Sequence, residues 1–128
     1  MAVQHKKVLI VDDDPTITAV LKQNIFNAGF EVETASSGAE AMEKFRTGLP
    51  DLVVLDALMP GMSGFEVSRE IRVLDPGKKI PIIMLTGLKA ESDAGQARAA
   101  GATEFITKPV DVKSLVNKIR SYLHSSLG

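Results

Sequence analysis

The sequence predicts an α/β fold built on a parallel sheet, and three observations carry that prediction. Apolar runs and helix-period patterns alternate from one end of the chain to the other, which is how successive βαβ units read. Three of the runs are continuous and largely β-branched, as strands covered on both faces are. Five βα units use up all 128 residues, so a single domain over residues 1–128 is expected, with no room for a second.

Each element has its own signal. The first strand is Val8-Leu9-Ile10-Val11. Asp14 then suits an N-cap and Pro15 the first helical position. Ile17, Val20, Leu21 and Ile25 recur at helical spacing, and Gly29 closes that helix. Phe30-Glu31-Val32-Glu33-Thr34 alternates apolar with polar, so one face is wet and the strand belongs at or near an edge. Ser37 with Glu40 reads as a capping box for the second helix, which Gly48 ends; Ser63 with Glu66 does the same for the third. Between them Leu52-Val53-Val54-Leu55 is a central strand, and Ile80 to Leu85 is the next. The fourth helix, Ala90 to Ala100, offers Ala94, Ala97 and Ala100 but no large apolar side chain, so it buries least area and is expected to be the loosest. Gly101 closes it, and a short strand spans Glu104 to Thr107. Val112, Leu115, Val116, Ile119, Tyr122 and Leu123 give the last helix its apolar face.

Composition removes several function classes. A chain that is 45% hydrophobic and 24% charged is neither disordered nor collagen-like. Fifteen Lys and Arg against 16 Asp and Glu leave a net charge of −1, so no basic field gathers nucleic acid or anionic lipid; no direct nucleic-acid or membrane partner is expected. With no Cys, disulfides, thiolate metal sites and cysteine nucleophiles are all excluded. No apolar run approaches the roughly 20 residues that span a bilayer, and Met1 to Lys7 is too short and polar for a signal peptide, so a cytoplasmic location is expected.

In an open parallel sheet, function gathers at the carboxyl edge. The first, third, fourth and fifth strands deliver Asp12-Asp13, Asp56, Thr86 and Lys108 there. Two carboxylates about 5 Å apart repel by roughly 3 kcal/mol at an effective dielectric near 20, and three crowded together repel several times over. A cation must offset this. Carboxylates without nearby His or Cys favour a hard divalent ion, and Mg2+ commonly binds through one or two carboxylates, waters and a phosphate. A metal-oriented Asp can attack a phosphoryl group, while an ammonium and a hydroxyl clamp its oxygens.

The stretches Val11-Asp12-Asp13, Asp56-Ala57-Leu58-Met59-Pro60-Gly61-Met62-Ser63-Gly64, Leu85-Thr86-Gly87 and Phe105-Ile106-Thr107-Lys108-Pro109 together resemble a response regulator receiver domain along the full length. The resemblance implies the doubly wound (βα)5, flavodoxin-like fold with strand order 2-1-3-4-5 and a cis bond between Lys108 and Pro109. It makes Asp56 the phosphoacceptor, with Mg2+ held by Asp12, Asp13, Asp56 and the carbonyl of Leu58. Thr86 binds the phosphoryl group, Lys108 pairs with it, and Thr86 and Phe105 form the switch. Its implied partners are a sensor histidine kinase or histidine phosphotransfer protein as donor and a downstream protein target on the face of the fourth helix, fifth strand and fifth helix. Such a domain is a switch and not a turnover enzyme.

Plainer explanations cover other residues. An N-cap accounts fully for Asp14. His5 and His124 read as solvated side chains near the termini, and Met59 and Met62 as packing. Asp12-Asp13-Asp14-Pro15-Thr16 also matches the Asp-x-Asp-x-Thr motif of haloacid dehalogenase-like phosphatases, with Asp12 as nucleophile. That alternative needs an acidic pair after the Lys, where only Asp111 stands, and it leaves Asp56 to Gly64 unexplained. Leu58 and Leu88 are apolar where many receivers carry polar side chains. By resemblance both border the water path to the phosphorus, so slow self-dephosphorylation is expected.

Overall fold

The computed structural model describes residues 5–75, 79–87 and 90–123. The elements are β1 (Lys7–Val11), α1 (Pro15–Asn27), β2 (Glu31–Ala35), α2 (Gly38–Gly48), β3 (Leu52–Asp56), α3 (Gly64–Leu74), β4 (Ile82–Thr86), α4 (Ala90–Ala99), β5 (Glu104–Thr107) and α5 (Val112–Leu123). All strand pairs are parallel, in the order β2-β1-β3-β4-β5. The wet strand β2 lies at one edge, as its alternating pattern requires, and every residue of β3 and β4 is buried.

Alternate strand residues feed two cores, one on each face of the sheet. Leu9, Val11, Val53, Leu55, Ile82 and Met84 pack under α2, α3 and α4, together with Phe45, Ile71, Ala97 and Ala100. Val8, Ile10, Leu52, Val54, Ile83 and Leu85 pack under α1 and α5, with Leu21, Ile25, Leu115 and Ile119. Helices on both faces make the sheet doubly wound, and the continuous apolar strands are the consequence. Within α1, Leu21 and Ile25 are buried while Val20 is 46% exposed, because it sits about 100° round the helix from Leu21. Tyr122 likewise leaves the apolar face of α5, to donate its hydroxyl to Glu104.

Local signals hold with three adjustments. Asp14 accepts the N–H groups of Thr16 and Ile17 and caps α1, with Pro15 following. Ser63 and Glu66 form a full capping box. At α2, Ser37 accepts from the Glu40 N–H, but the Glu40 carboxylate turns to the N–H and hydroxyl of Ser36, so the box is only half made. Gly48 remains helical, and Leu49 supplies the left-handed cap at φ 48°. Finally, β4 starts at Ile82 instead of Ile80, because Pro81 has no N–H to give and the Ile80 N–H is taken by Asp75 Oδ2 at 2.9 Å. The bond between Lys108 and Pro109 is cis.

Candidate acidic site at the carboxyl edge of the sheet

Parallel strands bring distant chain positions to one edge. β3 ends on Asp56, β4 on Thr86, Asp12 and Asp13 directly follow β1, and Lys108 directly follows β5. Asp12 and Asp56 are 2% and 4% exposed, whereas Asp13 faces solvent. One carboxylate oxygen from each of the three lies within 4.8 Å of the others.

The hydrogen bonding is uneven. Asp12 Oδ1 accepts the Asp14 N–H at 2.9 Å, while its buried Oδ2 has no partner among the described residues. Asp56 Oδ1 accepts the Leu58 N–H at 3.3 Å and receives Lys108 Nζ at 3.0 Å. Burial pushes the Asp12 carboxyl above the ordinary range; the Asp14 N–H opposes this and the Asp56 charge adds to it, with Lys108 lowering and Asp13 raising it less. Among the described residues, one ammonium therefore stands against three carboxylates, and a buried carboxylate oxygen is left without a donor. That oxygen-only set with an open, orphaned ligand atom fits a hard divalent cation.

Thr86 is fully buried, and its hydroxyl donates to the Ile106 carbonyl at 3.5 Å, the outer limit of a hydrogen bond. Its own carbonyl accepts the Lys108 N–H at 2.8 Å, tying the base of that lysine to β4. Thr86 thus shares the edge with Asp56, but its hydroxyl is turned to β5. Phe105 is partly buried against the core beneath α4. Leu58 is 68% exposed beside Asp56, and Leu88 lies outside the described residues, as does His124. Asp14 and Asp111 both act as caps, Asp111 accepting from the Lys113 and Ser114 N–H groups, so neither joins the cluster in the way the phosphatase motif would need.

Gly64 closes the stretch that begins at Asp56, and the sequence alone assigns it no role. A Cβ there would overlap the Asp56 carbonyl oxygen and lie 2.8 Å from Ala57 Cα. The first turn of α3 therefore abuts the end of β3, and the Gly64 N–H donates to the Ala57 carbonyl at 3.0 Å. Only a glycine inside the Ser63 capping box hinted at this close approach.

The chain belongs to the response regulator receiver domain family, which it matches over residues 8–120. Its place is therefore in two-component signalling. It is 36% identical to the alkaline phosphatase synthesis transcriptional regulatory protein PhoP of Bacillus subtilis over 122 residues, 95% of this chain and 50% of that protein. To the probable transcriptional regulator ycf27 of Pyropia yezoensis it is 41% identical over 120 residues, 94% of this chain and 48% of that protein. The chain spans about half the length of these curated relatives. Among solved structures, the chemotaxis protein CheY4 of Vibrio cholerae superimposes with a TM-score of 0.87 at 34% identity, covering 94% of this chain and 100% of that one.

Proposed function

We propose that this chain is a single receiver domain that accepts a phosphoryl group on Asp56 from a phosphohistidine and, in doing so, changes a protein-binding surface. The observation that carries the reading is the buried Asp56 carboxylate held between Lys108 Nζ and the Asp12-Asp13 pair. Asp12, Asp13, Asp56 and the Leu58 carbonyl would hold Mg2+, which when bound neutralises charge on the site and on the phosphoryl oxygens. A carboxylate oxygen of Asp56 attacks the phosphorus and the phosphorus–nitrogen bond breaks. Its electron pair stays on the imidazole nitrogen, which takes a proton from solvent. Lys108 moves its ammonium from the carboxylate to the transferred phosphoryl group, and the Thr86 hydroxyl, weakly held by Ile106, turns to join it.

Beside Lys108 an apolar groove of about 270 Å³, bordered by Ile17, Val20, Pro109 and Val110, offers a histidine kinase or phosphotransfer protein a surface from which to present its phosphohistidine. The output is a protein contact on the α4, β5 and α5 face, without direct nucleic-acid or membrane binding by this domain, in the cytoplasm. It is a switch and not a turnover enzyme. Intact-mass measurement after acetyl phosphate and Mg2+ should show one added phosphoryl group, and Asp56→Asn should abolish it. Labelling that persisted in Asp56→Asn and needed Asp12 would overturn the reading in favour of a phosphatase-like nucleophile.

A further inference from the structure

We propose that Met62 is a site of reversible oxidation by hydrogen peroxide, and that its sulfoxide loosens the joint between α2 and the loop leading from Asp56 into α3. The consequence for phosphoryl transfer rests on the reading of Asp56 as phosphoacceptor; the oxidation site itself does not. The chain has no cysteine, so methionine supplies its only sulfur. Met42, Met59 and Met84 are 5%, 8% and 0% exposed, all within the core beneath α2, α3 and α4. Met62 packs on the edge of that core and is partly open to solvent. Among the described residues it is therefore the sulfur that a peroxide reaches first.

The contact it makes is close. Gly38, buried at the start of α2, lies so near that a Cβ there would stand 2.7 Å from Met62 Cβ, 2.9 Å from Cγ and 3.0 Å from Sδ. The thioether is thus laid flat on the first turn of α2. Along the chain, Gly61 at φ +80° precedes Met62, and Ser63, the cap of α3, follows it. Next comes Gly64, pressed against the Asp56 carbonyl. One apolar side chain thereby joins the start of α2 to the start of α3, beside the glycine that abuts Asp56. In the oxidation a lone pair of Sδ attacks one peroxide oxygen and the O–O bond breaks. The leaving hydroxide takes the proton carried by the transferred oxygen and departs as water, so sulfur is oxidised and peroxide reduced. The sulfoxide is polar and needs space and hydrogen bonds, whereas a joint without room for a Cβ on Gly38 offers no space on that side. The loop must give way, and Asp56 stands at its other end.

After peroxide treatment of the whole chain, peptide sequencing by mass should find added oxygen on Met62 ahead of Met42, Met59 and Met84; Met1, outside the described residues, is read separately. Once Met62 is oxidised, labelling by acetyl phosphate with Mg2+ should be about fivefold slower, and amide exchange from Gly38 to Met42 faster. A methionine sulfoxide reductase with dithiothreitol should remove the oxygen and restore both. Met62→Leu, close in volume and without sulfur, should label at the parent rate and keep that rate after peroxide, whereas Met59→Leu should stay sensitive. Earlier oxidation at Met42, Met59 or Met84, unchanged labelling and exchange in the Met62 sulfoxide, or the same loss of rate in Met62→Leu would overturn the proposal. Should Met62→Leu not fold, the reductase decides: a rate still slow once the oxygen is gone overturns it. If the untreated protein takes no phosphoryl group, the Asp56 reading falls, and the order of oxidation with the amide exchange still decides for or against Met62.

Discussion

Glu104 serves two donors from α5, with Lys118 Nζ at 2.9 Å on one carboxylate oxygen and the Tyr122 hydroxyl at 2.7 Å on the other. Partial burial pushes its pKa up, but these two bonds outweigh burial and hold it below the usual carboxylate range, while the same contact lifts the Tyr122 phenol. A carboxyl group lowered in this way stabilises the fold above its unfolded pKa and ceases to as pH falls through the folded value. Glu104→Gln should therefore cost about 0.5 kcal/mol near pH 7, with the two urea midpoints converging below about pH 4. A gap of equal size at pH 3 would remove the assignment. For Tyr122 the sign is reversed: its contribution is present below the unfolded pKa and fades as pH rises through the raised folded value. At Leu58, 68% exposed two residues beyond Asp56, the side chain offers no hydrogen bond to position an attacking water. The parent should lose phosphate about tenfold more slowly than Leu58→Asn with Leu88→Glu, a barrier difference of about 1.4 kcal/mol. Phosphate release at equal Mg2+ checks this, and equal rates would show that the leucine leaves the water path unchanged.

Among the elements, the junction of β3 with α3 bears most directly on the site. The capping box of Ser63 and Glu66 starts α3 at Gly64, with no room for a side chain against the Asp56 carbonyl. Gly64→Ala must push the helix start off the strand, and by analogy with overpacked cores the cost should be about 2–3 kcal/mol. Because the displaced carbonyl belongs to Asp56, phosphorylation by acetyl phosphate should slow in the same variant. Urea unfolding and time-resolved intact mass measure the two effects, and an unchanged rate alongside lost stability would uncouple the loop from Asp56. The helix termini show how far local signals reach. Asp14 and the Ser63 box were legible because their partners lie two or three residues away. Glu40 turning to Ser36, and Leu49 in place of Gly48 at φ 48°, were not, since each is one of several local geometries of similar energy.

For the molecule as a whole, a metal held at the acidic edge would couple binding to stability. Among the described residues, three carboxylates face one ammonium, which destabilises the metal-free fold. Free Mg2+ at one hundred times its dissociation constant should therefore stabilise it by about 2.7 kcal/mol. Asp12→Asn removes the buried charge and replaces the orphaned Oδ2 by a donor. It should raise metal-free stability by about 1 kcal/mol and lose most of the Mg2+ response. Thermal scans with Mg2+ and with a chelator test both statements; an unaltered Mg2+ response would take Asp12 out of the metal set. α4 has only alanines to bury, as its sequence foretold, but its carboxyl end is held by Ser68 and Arg72 of α3.

The alternation of strands and helices, the wet edge strand, and the acids, hydroxyl and amine at the strand ends are all legible in the chain alone. Each of these is written in a period of two or 3.6 residues, or in a cap a few residues long. Whatever depends on contacts between distant segments was settled by the folded molecule. It set Lys108 Nζ 3.0 Å from Asp56, left Asp12 Oδ2 buried without a donor among the described residues, and turned the Thr86 hydroxyl toward Ile106. It also pressed Gly64 against the Asp56 carbonyl and pinned Ala100 and Gly101 to α3, across 32 and 29 residues of sequence. No local pattern encodes such pairs, because they are chosen by which side chains meet once the two cores have closed.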